Sequence, residues 1–389
     1  MIRNYRHSWS GIVGVILLIG SLSFQLEGCI KKKPILIGFS AQLTGRQAEL
    51  GVQERNGVQL AIETINEAGG VAGHKIELLV RDDLGVPEKA KEADQELIKA
   101  GVHAIIGHAT SAQAVAGLEV TNPAKVIMLS PTVSSPKLSG LDDYFFRVYP
   151  SFKDSAQAFA EYTYRREGVT RLAVIYDNDN AAYAKTYSTA FAEKFQSIGG
   201  KIADEVSFSS KAQPDFTSLL LKLRRSKANG LLIIASDVDT ALITQRSRLM
   251  NWEIRRYSSA WAQTETLIKN GGQAVEGLKI EQAYAVSSQS RGFLDFQTRY
   301  QARFGQAPSF GAAFGYEAAL VLAAALEKTG GKAEGLRQAL TGIRDFRGLM
   351  DTFSFDRFGD VERPFYLSTI RGGKFIILQK MTLNGAGGK

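Results

Sequence analysis

The chain has 389 residues, 44% hydrophobic and 22% charged, which excludes a disordered or fibrous protein and gives enough length for two lobes with separate cores. Its formal net charge of +8 comes with no Lys/Arg block longer than Lys31-Lys32-Lys33, so a solvated surface is expected and no nucleic-acid partner. The lone cysteine, Cys29, excludes a disulfide framework and a thiolate metal site. His7, His74, His103 and His108 contain no helical i, i+4 pair. His103 and His108 flank a predicted strand and are read as structural, and no metal or other cofactor is expected.

Residues 1–28 read as an export signal: Arg3 and Arg6 are a basic start, Ile12 to Phe24 an apolar run, and small residues precede Cys29. The apolar run is short for a membrane-spanning helix. Leu26-Glu-Gly-Cys29 resembles the lipobox of bacterial lipoproteins, with Glu27 where a small or β-branched residue is usual, and makes Cys29 the expected site of lipidation. An uncleaved signal anchor is the alternative.

After a linker over 29–33, Ile35-Leu-Ile-Gly-Phe39 predicts a buried strand ending at Ser40, followed by a polar loop to Gly51. From Gln53 to Glu67, Val58, Ala61, Ile62 and Ile65 share one helical face, and Gly69-Gly70 ends the helix. Lys75 to Val80 is a second strand and Pro87 to Ala100 a second helix, stopped by Gly101. Strand and helix alternating at this spacing predict a parallel sheet with right-handed crossovers.

Ala104-Ile-Ile-Gly107 and Val126-Ile-Met-Leu-Ser130 are apolar runs that stop at small hydroxyl residues. In a parallel α/β sheet, ligands bind at such carboxyl ends, where the next helix presents unpaired N–H groups. Ser111, Thr132 and Ser134 are therefore candidates for holding an anion; the alternative for each is an ordinary N-cap. A second α/β unit follows in Arg171 to Asp177, a helix through Ala190, Gly230 to Ser236, a helix around Ile243, and Arg256 to Trp261.

Ile65-Asn-Glu-Ala-Gly69-Gly70, Arg81-Asp82-Asp83, Gly107-His108 with Ser111, Ser130-Pro131, Pro214-Asp-Phe-Thr-Ser218, Glu276-Gly277-Leu278 and Phe353-Ser-Phe355-Asp356 occur in that order. The ordered set resembles the leucine/isoleucine/valine-binding family of periplasmic receptors for ABC transporters. The resemblance implies an α/β type I periplasmic binding protein, two doubly wound parallel-sheet lobes joined by three crossovers. Strand spacing places the crossings near Ser151, Tyr284 and Phe353. Lobe 1 is then 34–150 plus 284–352, lobe 2 is 151–283 plus 353–383, and 384–389 is a frayed tail.

The resemblance also implies a ligand carboxylate held by Ser111 and Ser134 with backbone groups at Ala109 and Thr132. It places Tyr183 over the ligand, an exposed loop aromatic being the alternative. Trp261 stands where the family's amino-acid receptors carry a carboxylate for the ligand ammonium, and Leu50 where they carry a tyrosine. Asp237 at a strand end is the candidate replacement for that carboxylate; alternatively it caps the following helix, with Asp239 competing. The expected function is non-enzymatic capture of a small amino acid by a monomeric, membrane-anchored lipoprotein on the periplasmic or extracellular face, for delivery to an inner-membrane ABC permease. Receptors for an aromatic or branched carboxylate without an ammonium, or for sensing without transport, are the alternatives. No Gly-x-Ser-x-Gly elbow, phosphate-binding loop or cysteine nucleophile in the folded body points to an enzyme.

Mass spectrometry of the membrane fraction is expected to find an N-terminal, lipid-modified Cys29. An unmodified chain still beginning at Met1 would refute the lipobox reading.

Overall fold

The computed structural model describes Met1 and residues 32–381, so the export signal, Cys29 and the 384–389 tail lie outside the described residues. The apolar runs become strands β1 (Ile35–Ala41), β2 (Ile76–Asp82), β3 (Ala104–Gly107), β4 (Ile127–Ser130) and β5 (Phe145–Arg147). They form one all-parallel sheet in the order β2-β1-β3-β4-β5. Ile105 and Ile106 of β3, and Met128 and Leu129 of β4, are all buried. Helices cover both faces of such a sheet, so its strands read as continuous apolar runs without alternation.

The second sheet takes β6 (Arg171–Asp177), β7 (Lys201–Phe208), β8 (Gly230–Ile234), β9 (Arg255–Ser258), β10 (Lys279–Gln282), β13 (Phe365–Arg371) and β14 (Lys374–Met381). Its order is β14-β13-β10-β9-β8-β6-β7. The strands from β6 to β10 are parallel, and the β13–β14 hairpin adds an antiparallel edge beside β10. Hairpin strands need only a short turn, whereas parallel neighbours need a crossover.

Between β10 and β13 the chain returns to the first sheet. Helix Phe310–Lys328 is long and apolar enough to cross a membrane by length and composition, but it is mostly buried, as a helix apolar on all sides must be in a protein core. It lies against helix Glu49–Glu67 at a separation only glycine permits. A Cβ on Gly57 would meet the Ala312 carbonyl oxygen at 2.0 Å, and one on Gly315 the Glu54 carbonyl oxygen at 2.5 Å. Helix Glu49–Glu67 begins four residues before the expected Gln53, which brings Leu50 into its first turn. No side chain caps this helix at Ala48, so the sequence carries no start signal there.

Two short strands, β11 (Phe346–Arg347) and β12 (Thr352–Phe353), pair with each other. The chain then stays on the first lobe for longer than expected. The Arg147 N–H donates to the Gly359 carbonyl at 3.1 Å, and the buried Arg147 guanidinium pairs with Asp360 at 2.6 Å. Arg363 donates to Glu317 at 2.5 Å and to the Val148 carbonyl at 3.0 Å, pairs with Asp351, and is stacked on Phe314 and Phe353. From these contacts we propose a third crossing near Arg363, beyond the expected Phe353.

Gly57→Ala is expected to destabilise the fold by about 3 kcal/mol, the upper end for overpacking a dense interior, because a backbone carbonyl cannot move aside as a side chain can. Chemical denaturation checks this; an unchanged midpoint would mean that the helix pair is free to separate.

Candidate functional site

In the first sheet the strand order reverses between β1 and β3, and in the second between β6 and β8. The crevice outside the carboxyl ends of the strands is where open α/β sheets bind ligands. A pocket lies between the two sheets at these ends. From the first come Ala109, Thr110 and Ser111 after β3, Thr132 and Ser134 after β4, and Tyr149 after β5. From the second come Asn180 and Tyr183 after β6, and Ala260 and Trp261 after β9, while Leu50 and Phe310 complete the wall. Its empty volume, with the open solvent at its mouth included, is about 320 Å³.

Ser111 is the first residue of helix Ser111–Ala124, and its hydroxyl caps nothing. The N-cap position is Thr110, which makes no side-chain capping bond. Ser111 is 1% exposed and its Oγ has no hydrogen-bond partner, an arrangement that costs about 1–3 kcal/mol unless something else fills the bond. Ser134 is buried, and its carbonyl accepts from the Phe152 N–H at 3.0 Å. The Thr132 hydroxyl lies 2.8 Å from the Ala109 carbonyl and 2.5 Å from Glu54 Oε1, so it is engaged inside the protein.

Tyr183 is buried in the first turn of helix Ala181–Ser197 and not on a loop. Its ring meets Trp261 edge-on at 5.8 Å and Phe152 at 5.1 Å. Asn180, which sequence reasoning missed, accepts from the Ala112 N–H at 3.1 Å and so joins the second lobe to the start of helix Ser111–Ala124. Its only signal was a run of Asp and Asn between a strand and a helix.

Asp237 does not line the pocket. One carboxylate oxygen accepts from the Thr264 hydroxyl at 2.6 Å and the other from the Val238 N–H at 2.8 Å. Neither Asp237 nor Asp239 caps the helix; Ser236 does, accepting from the Asp239 N–H. Asp239 instead meets the first lobe. Arg46 pairs with it at 2.5 Å, and Gln47 Nε2 donates to Asp239 at 2.8 Å and lies 3.2 Å from both Asp177 and Ser236. The second sheet's reversal point is thus filled by Arg46 and Gln47. Among the described residues, the pocket wall itself carries no charged side chain.

Charge sits one layer behind that wall. His108 lies between Asp83 at 2.7 Å and Asp94 at 3.0 Å. Burial would lower its pKa, but the two carboxylates prevail and raise it to about 10. Burial raises Glu54 to about 8 against the Thr132 bond that lowers it, with Asp83 adding and His108 subtracting. Glu281 on β10 is raised by burial to about 7 despite bonds from Ser155, Tyr187 and the Ala260 backbone.

The family model described as "Periplasmic binding protein" matches residues 34–374. The chain belongs to that family. Leu/Ile/Val-binding protein homolog 3 of Brucella melitensis is 32% identical over 198 residues, covering 50% of this chain and 52% of that protein; the chain thus matches about half the length of this relative. The crystal structure of a leucine binding protein LivK from Thermotoga maritima has a TM-score of 0.83 at 26% identity, covering 89% of this chain and 98% of that one. A solute binding protein of an ABC transporter from Rhodopseudomonas palustris, in complex with 3,4-dihydroxy benzoic acid, has a TM-score of 0.80 at 24% identity over 90% and 97% of the two chains. This periplasmic binding protein therefore has the expected type I fold.

Stability is expected to fall as pH rises from 5 to 9. Glu54 and Glu281 hold their protons in the folded state above the ordinary 4.5, up to about 8 and about 7, so the unfolded chain ionises first and gains. The His108 contribution is complete below its ordinary 6.5 and is lost toward about 10, in the same direction. Asp82 and Glu63, whose pKa values are lowered, cost stability only below about pH 4.5. Thermal melts across that range test this, and a midpoint rising toward pH 9 would contradict it.

Proposed function

We propose that this periplasmic binding protein captures a small carboxylate with an apolar, ring-sized tail and no ammonium, and presents it to an ABC permease. It acts as a binding protein without catalysis. The observation that carries the reading is the uncharged pocket wall with an unpartnered buried hydroxyl at Ser111. A carboxylate gains charge-assisted hydrogen bonds there. An ammonium would be buried without a partner, which costs several kcal/mol, because Asp237 is spent on Thr264. Tyr149, Tyr183, Trp261, Phe310 and Leu50 suit a flat or branched tail. The dihydroxybenzoic acid complex of the Rhodopseudomonas palustris protein supports a ligand of this kind.

The second reading, a branched-chain amino acid, is favoured by the Leu/Ile/Val-binding and leucine-binding names of its relatives. Both readings keep the carboxylate at Ser111 and Ser134, with Ala109 and Thr132 framing it. Anchoring through Cys29 at the periplasmic or extracellular face, and a monomeric state, complete the proposal.

Calorimetric titration of benzoate, isocaproate and leucine separates the readings. Isocaproate, the des-amino form of leucine, is expected to bind more tightly than leucine; the reverse order would establish the amino acid. Ser111→Ala is expected to weaken every bound carboxylate about ten- to a hundredfold. It should not lower the melting temperature of the free protein, since it removes an unsatisfied group. Asp237→Asn is expected to leave affinity within about threefold, as its partner Thr264 lies outside the pocket.

A further inference from the structure

We infer that Glu54 is a proton-linked positioning residue: it must be protonated for the first lobe to accept an anion, so ligand binding takes up a proton. The inference rests on the ligand carboxylate lying against Ser111 and Thr132. Glu54 is fully buried, and its Oε2 has no partner while Oε1 is 2.5 Å from the hydroxyl of Thr132, which lines the pocket. The Thr132 hydroxyl has one proton and two neighbouring acceptors, Glu54 and the Ala109 carbonyl at 2.8 Å.

With Glu54 neutral, its own O–H donates to Thr132 Oγ1 and frees the Thr132 proton for Ala109. With Glu54 ionised, Thr132 must turn its proton to the carboxylate. The Ala109 carbonyl then loses this donor in the pocket wall, and a full negative charge stands one side chain behind the anion. Both changes oppose a bound carboxylate, and both are absent in the protonated state.

The surroundings of Glu54 supply no cation in direct contact that would hold it ionised. From the end of β2 it faces Asp83, and from the end of β3 it faces His108, which is shared between Asp83 and Asp94. Helix Phe310–Lys328 presents glycines: a Cβ at Gly311 would lie 3.4 Å from Glu54 Cγ. Glu317 on that helix is paired with Arg363. Burial raises Glu54 to about 8, which places its titration in an accessible range.

If only the protonated form binds, the apparent Kd scales inversely with that form's population. For a group titrating at about 8, that makes binding about tenfold weaker at pH 9 than at pH 7. Glu281, at about 7, is largely ionised by pH 8, so weakening between pH 8 and 9 belongs to Glu54. The probes are benzoate and leucine, each titrated into the intact protein from pH 7 to 9, with proton uptake measured at pH 8 in buffers of different ionisation enthalpy. Either probe tests Glu54, because both carry a carboxylate; which of them binds tests the ligand class separately.

The parent is expected to weaken about tenfold from pH 7 to 9 and to take up about half a proton at pH 8, from the populations of a group half-ionised there. Glu54→Gln, whose amide can donate to Thr132 as the neutral acid does, should bind within about threefold of the parent at pH 7 and stay level between pH 8 and 9. A parent affinity that is flat from pH 8 to 9, or a Glu54→Gln protein that keeps the parent's slope there, overturns the inference. Should Glu54→Gln fail to fold, proton uptake by the parent at pH 8 decides alone, and its absence overturns the inference equally.

Discussion

The close approach of helices Glu49–Glu67 and Phe310–Lys328 is the constraint on which the first lobe depends. Gly57 and Gly315 let each backbone into the other's van der Waals space. The chain builds the second sheet through β10 before supplying the second of these helices, so the first lobe is complete only after that excursion. The loop-closure cost of such a long return grows slowly with length, and the dense contact offsets it. The same pairing fixes what reaches the pocket. Leu50 and Phe310 stand at the entrance ends of the two helices and line it, and Glu54, one turn below Leu50, is held in the layer behind.

The two sheets use their reversal points differently. The crevice at the first faces the pocket, whereas the second receives Arg46 and Gln47 against Asp177, Ser236 and Asp239. A half-exposed arginine on a buried aspartate is screened by solvent on one side only. Its contribution is therefore to the register of one lobe on the other as much as to stability. Asn180 with Ala112, and the Ser135 hydroxyl with the Ala182 carbonyl at 2.7 Å, add directional bonds across the same cleft. None of them needs a charge in the pocket wall, and the wall stays neutral.

Residues whose position follows from a strand end were legible in the sequence. Ala109, Ser111, Thr132, Ser134, Tyr183 and Trp261 all sit just beyond β3, β4, β6 or β9, and they meet in one pocket. A side chain's direction was not legible where a distant partner sets it. Asp237 is also just beyond a strand, but Thr264, remote in sequence, claims its carboxylate. Asn180, Tyr149 and Phe310 carried no signal of their own, since their role comes from the approach of the lobes. The Arg147–Asp360 and Arg363–Glu317 pairs, which hold the chain beyond Phe353 against the first sheet's side, leave no periodicity to read. Glu54 was hidden for a related reason: in the sequence it is a helical polar residue, and only the glycines opposite make room for a buried carboxyl.

An uncharged wall can still favour an anion, because two helices end on it with the same polarity. Ser111 opens helix Ser111–Ala124 from the first lobe, and Tyr183 lies in the first turn of helix Ala181–Ser197 from the second. Each N-terminus carries roughly half a positive charge from its aligned peptide dipoles. Both ends line the pocket, and their like partial charges repel across it. Asn180 Oδ1 against the Ala112 N–H relieves part of that opposition with a neutral acceptor. A carboxylate between them reverses the sign, since it is attracted to both ends at once and in full only when both are near. On the proposed function, lobe closure and anion binding would draw on the same electrostatic energy. The inferred proton linkage fits that arrangement, since an ionised Glu54, bonded to Thr132 of the same wall, would set a negative charge against the anion.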